Sequence, residues 1–165
     1  MRTIVRIVTA AMSALLFALL LLSLPAAADE RDKLIGNWKL VSFYTEDVQT
    51  KQRINAYGEH PEGRAGFTPE RLFAFVAADG RKAGQTTEEQ AAAFRTVVAY
   101  TGKWRVEGEK FTTNVDVAWN PAWVGTDQVR FWRVEGDKLY ITTAPIPNPN
   151  APGEMLIGTT VWERE

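Results

Sequence analysis

The run Gly36-Asn37-Trp38-Lys39-Leu40-Val41-Ser42-Phe43-Tyr44-Thr45 decides the fold. Polar and apolar residues alternate loosely along it, with Trp38 and Leu40 on one face and Phe43 on the other, which is typical of a β-strand. A second strand-like run, Met155 to Arg164, is the last in the sequence. We interpret the two runs as neighbours at the seam of a closed β-barrel.

Between these two runs the sequence is mostly strands and tight turns. Gln52 to Ala56 predicts a short strand, and Ala65 to Ala77 predicts a hairpin. The segments Trp104 to Lys110 and Trp132 to Lys138 repeat one pattern, in which a glycine beside an acidic residue supplies the positive φ of a tight turn. Eight to nine such strands predict an all-β, up-and-down antiparallel barrel, because closure removes exposed sheet edges. A β-sandwich is the alternative.

One short helix is predicted after the fourth strand. Thr86 and Glu89 have the spacing of a capping box, and apolar residues recur at helical period from Ala91 to Val98. Gly102 is expected to mark the return to strand.

The first 28 residues have the pattern of a secretory leader. Two arginines precede the uncharged apolar run Ile7 to Leu24, and Ala26-Ala27-Ala28 supplies small residues for cleavage after Ala28. The alternative is an uncleaved membrane anchor. We therefore expect a signal peptide over 1–28, one exported domain over 29–165, periplasmic or secreted, and no stable membrane anchor after cleavage. The sequence has no cysteine, so no disulfide holds this domain together.

Charge restricts the partners of the exported domain. Removing the two leader arginines from the 19 basic residues leaves 17 against 20 acidic residues, a net charge of −3. A negative domain attracts neither nucleic acid nor an anionic membrane. We expect a monomer without a nucleic-acid partner.

Four segments, in order, carry a family resemblance: Leu34 to Ser42, Pro121 to Gln128 with Arg130, Gly136 to Leu139, and Val161 to Arg164. With them, the chain resembles the lipocalin-like domain of many bacterial and fungal proteins, itself similar to the lipocalins of the calycin group. The resemblance covers nearly the whole exported domain.

The resemblance implies that a tryptophan of the first strand plugs one end of the barrel. Here that residue is Trp38, and an arginine of the last strand, Arg164, would pack over its indole. Such a contact contributes about 0.5 to 2 kcal/mol. Gly36 would let the chain approach closely at this end. All three residues would then be structural.

The usual catalytic groups are scarce. The one histidine, His60, lies in a loop rich in Gly and Pro, and Ser42 is the one serine after the leader. No metal-ligand spacing and no phosphate-binding motif is present in the sequence. We therefore predict no catalytic residue, no metal and no cofactor, and favour binding over catalysis.

The strand Phe111 to Ala118 has two possible inward faces. One face carries Phe111, Thr113, Val115 and Val117, and the other carries Thr112, Asn114 and Asp116. If the polar face points inward, Asp116 needs a partner, because an unpaired buried carboxylate is costly. Arg130 is the candidate for this polar pair in the cavity.

Aromatic residues near the loop from Trp119 to Asp127 suit the mouth of a ligand cavity. The predicted ligand-binding residues are Tyr100, Asn114, Trp119, Trp123, Arg130 and Trp132. The favoured function is an exported protein that binds a small, mostly hydrophobic molecule in the barrel. Two alternatives stay open: a cofactor-free cyclase or isomerase of a hydrophobic metabolite, and a ligand-free structural or partner-binding domain with a filled barrel.

Overall fold

Eight antiparallel strands form a closed barrel in the computed structural model, which describes residues 26–148 and 151–165. Two further strands of two residues each extend the sheet, and the strands in chain order are β1 (Gly36–Asp47), β2 (Arg53–Ile54), β3 (Glu62–Phe67), β4 (Arg71–Ala77), β5 (Val97–Glu107), β6 (Lys110–Ala118), β7 (Asp127–Glu135), β8 (Lys138–Thr142), β9 (Ile146–Pro147) and β10 (Met155–Arg164). The predicted up-and-down barrel is therefore confirmed, and the sandwich alternative is wrong.

The seam of the barrel is the pairing of β1 with β10. Trp38 lies opposite Arg164, and Leu40 lies opposite Trp162. A bulge then inserts Val41, which is 42% exposed, so that Phe43 turns inward and lines the interior. The prediction that Phe43 and Trp38 lie on opposite faces is wrong, because an extra residue in one strand reverses the alternation beyond it.

The helix after the fourth strand is present but shorter than predicted. Helix α2 (Thr87–Arg95) begins with a complete capping box between Thr86 and Glu89. Val97 and Val98 already belong to β5, where they pair with β4, and Gly102 lies inside that strand. β-branched residues favour a pleated strand over a last helical turn, so the predicted helix end and the role given to Gly102 are corrected.

A second helix, which the sequence reasoning missed, covers one end of the barrel. Leu34, the last residue of α1 (Ala26–Leu34), is fully buried. The guanidinium of Arg31 lies 4.6 Å from the ring centre of Trp104 and donates to the carbonyl of Pro69. Most of the predicted leader lies outside the described residues, so the signal peptide stays a prediction. No described helix is long and apolar enough to cross a membrane.

The packed core occupies the end of the barrel next to α1, which we call the closed end. Fully buried residues there include Trp38, Phe67, Phe111 and Trp162. Phe67 meets Phe111 edge to face with ring centres 5.5 Å apart. The predicted hairpin turns β5–β6 and β7–β8 lie at this same end. The barrel interior toward the opposite, open end is therefore left for a cavity.

Candidate ligand cavity

A cavity of about 390 Å³ lies inside the barrel above the packed core. This volume is within the range of roughly 300 to 1,000 Å³ that is usual for small-molecule sites. Most of its lining is apolar and comes from strands on all sides, for example Phe43, Leu72, Val76, Val98, Phe111 and Ile141. These residues point into the barrel because successive side chains of a β-strand alternate between its two faces.

A few polar side chains also line the cavity, and two of them are already paired. The Thr143 hydroxyl accepts from the backbone N–H of Gly158 at 3.0 Å. The Thr160 hydroxyl accepts from the indole N–H of Trp162 at 2.7 Å. Of the other polar residues in the lining, Tyr100 makes no side-chain hydrogen bond to a described residue, while Arg130 and Gln128 bond to each other and keep spare donors.

Arg130 is half-buried on the inner face of β7. Its Nη1 donates to the carbonyl of Val129 at 2.8 Å and its Nη2 donates to the amide oxygen of Gln128 at 3.1 Å. The guanidinium carbon lies 5.7 Å from the ring centre of Trp123. A cation in this position raises the affinity of the cavity for a negative or strongly polar group.

Tyr100 lies on β5 and is half-buried in the cavity wall. Its ring meets Trp123 edge to face at 5.5 Å. Burial raises the pKa of the Tyr100 hydroxyl, and the positive charge of Arg130 opposes this effect. The hydroxyl therefore stays protonated at neutral pH and can donate a hydrogen bond to a ligand.

Aromatic rings form the open end of the cavity on the side of the β6–β7 loop. Asn120 accepts a hydrogen bond from the N–H of Ala122 and starts the 3₁₀ turn Pro121–Trp123, which holds Trp123 at the mouth. Trp119 meets Trp123 edge to face at 4.8 Å. Trp123 therefore forms this side of the entrance, with Trp119 packed against it.

The structure brings three of the six predicted ligand-binding residues together on the cavity: Tyr100, Trp123 and Arg130. Of the other three, Trp119 supports Trp123 from outside the lining. Trp132 lies nearer the closed end and donates through its indole N–H to the carbonyl of Gly108 at 3.1 Å. Asn114 lies on the outer surface and donates to Asp127 at 2.9 Å.

The expected pair between Asp116 and Arg130 is wrong. Asp116 is exposed on the outside of the barrel and accepts from Nη1 of Arg71 at 2.9 Å. The inward face of β6 is instead the one that carries Phe111, Thr113 and Val115, all fully buried or nearly so. A β-bulge beside Gly102 then breaks the alternation, so Val117 is exposed like Asp116.

The three residues expected to close the barrel meet at its closed end. The guanidinium carbon of Arg164 lies 4.1 Å from the ring centre of Trp38. Its two terminal nitrogens donate to the carbonyls of Ile35 at 2.9 Å and Lys33 at 2.6 Å. Gly36 has φ +134°, and a Cβ there would lie 2.9 Å from the arginine. The arrangement ties the last strand to α1, far from the cavity mouth.

Sequence reasoning missed the part of the cavity wall that β1 and β10 form. Phe43 faces the cavity because of the β1 bulge, and Thr160 and Gly158 line it from β10. Alternation in β10 could have pointed to its polar members, whereas no local signal marks the bulge. Within the described residues, no group of three or more histidine, cysteine or acidic side chains could hold a metal ion.

Comparison with known proteins agrees with this geometry. The profile of a family described as lipocalin-like domain matches residues 35–165, which is most of the chain and includes every strand of the barrel. No curated protein and no solved structure matches the chain. With its extensive profile match and its closed eight-stranded barrel, the chain belongs to the family of lipocalin-like domains.

Proposed function

We propose that this protein is exported and binds a small, mostly hydrophobic molecule inside its barrel. The observation that carries the proposal is the apolar cavity of about 390 Å³, which has Trp123 at its mouth. A purely structural domain would have a filled barrel, and the cavity does not support that alternative.

The apolar lining supplies the driving force for binding. Burying about 250 Å² of apolar ligand surface contributes roughly 6 kcal/mol. The loss of ligand motion offsets part of this gain, so dissociation constants of about micromolar to submillimolar are expected for simple apolar probes.

Two adjacent residues of β4 offer a matched test of where a ligand binds. Ala74 lines the cavity, whereas Phe75 points outward and is 46% exposed. Ala74→Trp should fill the cavity and weaken binding of the neutral fluorescent probe N-phenyl-1-naphthylamine at least tenfold, while Phe75→Trp leaves it unchanged. Equal binding by both variants would place the probe elsewhere and contradict the proposal.

Export is the second part of the proposal and is supported by the leader pattern over 1–28. Expressed with its full sequence in a secreting bacterium, the exported protein should begin at Asp29. Intact-mass measurement would reveal this, and a product that keeps the leader would contradict it.

A cofactor-free cyclase or isomerase is the second candidate function, because Tyr100 and Arg130 could both donate to a substrate carbonyl inside an apolar cavity. Tyr100→Phe and Arg130→Met should then lower turnover of a candidate substrate by more than they weaken its binding. Unchanged turnover in both variants would remove this candidate.

A further inference from the structure

Arg130 is a half-buried cation whose charge no described residue balances through an ion pair. A guanidinium has five N–H donors. Two hydrogen bonds are made, to the neighbouring carbonyl of Val129 and to Gln128. The remaining donors have no acceptor among the described residues, although the side chain lines the apolar cavity.

The acidic residues of the same strand already pair with other residues on the outer face of the barrel. Asp127 faces outward and accepts from Asn114 at 2.9 Å and from Arg105 at 3.3 Å. Glu135 pairs with Arg133 at 2.8 Å, also on the outer face. Neither carboxylate can neutralise Arg130 without leaving its partner. A cation held partly away from water favours an anion that brings its own acceptor atoms.

Tyr100 provides a second donor on the same side of the cavity. Its hydroxyl makes no hydrogen bond to a described residue. Both Tyr100 and Arg130 contact Trp123, at 5.5 Å between ring centres and 5.7 Å from guanidinium carbon to ring centre. The two side chains thus lie beside one indole, while Phe43, Ile141 and Ile146 continue the cavity as an apolar wall.

We propose that the ligand is an amphiphile with a carboxylate at its polar end, which Arg130 and Tyr100 bind beside Trp123 while the hydrocarbon body lies against Phe43 and Ile141. This inference rests on the proposed function and specifies its ligand class. A carboxylate fits because its two oxygens can accept parallel N–H bonds from one guanidinium.

The test compares decanoate with 1-decanol, which share one chain and differ in the charge of the head group. Each displaces N-phenyl-1-naphthylamine from the wild-type domain at neutral pH. Decanoate should bind about tenfold or more tightly than 1-decanol, in line with a charge-assisted hydrogen bond. Arg130→Met should abolish this preference without weakening 1-decanol. Arg133→Met removes a cation from the outer face of the same strand and should keep the wild-type preference.

Arg130→Lys serves as a second variant that keeps the charge but loses the paired N–H donors of the guanidinium. It should therefore retain only part of the preference for decanoate. Equal binding of the two probes to the wild-type domain would overturn the carboxylate inference and leave the proposed function standing. The same holds if Arg130→Met weakens both probes equally. Binding of neither probe, nor of N-phenyl-1-naphthylamine itself, would overturn the proposed function.

Discussion

Replacing Arg164 by methionine should destabilise the barrel at its closed end. The change removes a guanidinium stacked at 4.1 Å on the fully buried ring of Trp38, and it removes hydrogen bonds to the carbonyls of Ile35 and Lys33. Because Arg164 itself is solvent-exposed, the stack is worth about 1 kcal/mol and each hydrogen bond about 0.5 to 1 kcal/mol.

The expected loss is therefore about 2 to 3 kcal/mol, which corresponds to a fall in Tm of roughly 6 to 12 °C for a domain of this size. Thermal unfolding followed by circular dichroism and urea unfolding followed by tryptophan emission would both measure it. Arg164→Lys keeps the charge, but its single ammonium group cannot bond both carbonyls as the two guanidinium nitrogens do. Its loss of stability should therefore be intermediate.

Arg64→Met is the matched control. Arg64 lies on β3, which β1 separates from β10. It pairs with Glu165 at 3.2 Å on the surface, where both side chains are about half exposed. Surface pairs of this kind contribute about 0 to 1 kcal/mol. If Arg164→Met lowered Tm no more than Arg64→Met, the closing role of the arginine over the indole would be refuted.

Three further predictions concern the scaffold. Gly102→Ala should lower the free energy of unfolding in urea by about 3 kcal/mol or more, because the added Cβ would lie 2.0 Å from a backbone oxygen of β6. Gly136→Ala is the control, since Gly136 has φ +63° and open space around it, and it should lower the same free energy by only about 1 kcal/mol. Hydrogen bonds from Arg71 hold the pKa of Asp116 below its ordinary 3.8, so this carboxylate stabilises the fold above that pH and the contribution is lost as the pH falls through the lower folded value. Asp116→Asn should flatten the acid limb of the urea midpoint plotted against pH. Leu34→Ala should cost about 2 to 5 kcal/mol, because this leucine of α1 is fully buried; a loss below about 1 kcal/mol would show that α1 does not seal the barrel.

The strand pattern predicted most of the fold because it depends on local chemistry. The hairpin turns at Gly108 and Gly136 have φ +59° and +63°, as a glycine beside an acidic residue in a tight turn requires. The capping box at Thr86 is likewise a contact between residues three apart. Helix α1 escaped prediction because its burial depends on Trp104 and Pro69, which lie far away in the sequence.

The candidate site was predictable only in part. Trp123 and Arg130 could be named from residue type and position near one loop, and they meet Tyr100 at the cavity. Asp116 was misassigned because its true partner, Arg71, lies 45 residues earlier in the chain. Phe43 was placed on the wrong face because no pattern in the sequence of its strand indicates the bulge at position 41.

By itself the sequence determined that the chain alternates as strands, turns at its glycines and carries a tryptophan in its first strand and an arginine in its last. Those properties follow from side-chain type and from contacts within a few residues. Tertiary structure decided which way each strand faces after a bulge, which carboxylate each arginine meets and how much of the interior stays open. These outcomes depend on the register between strands that are distant in the sequence. A shift of one residue in that register moves every inward-pointing side chain of a strand to the outside of the barrel.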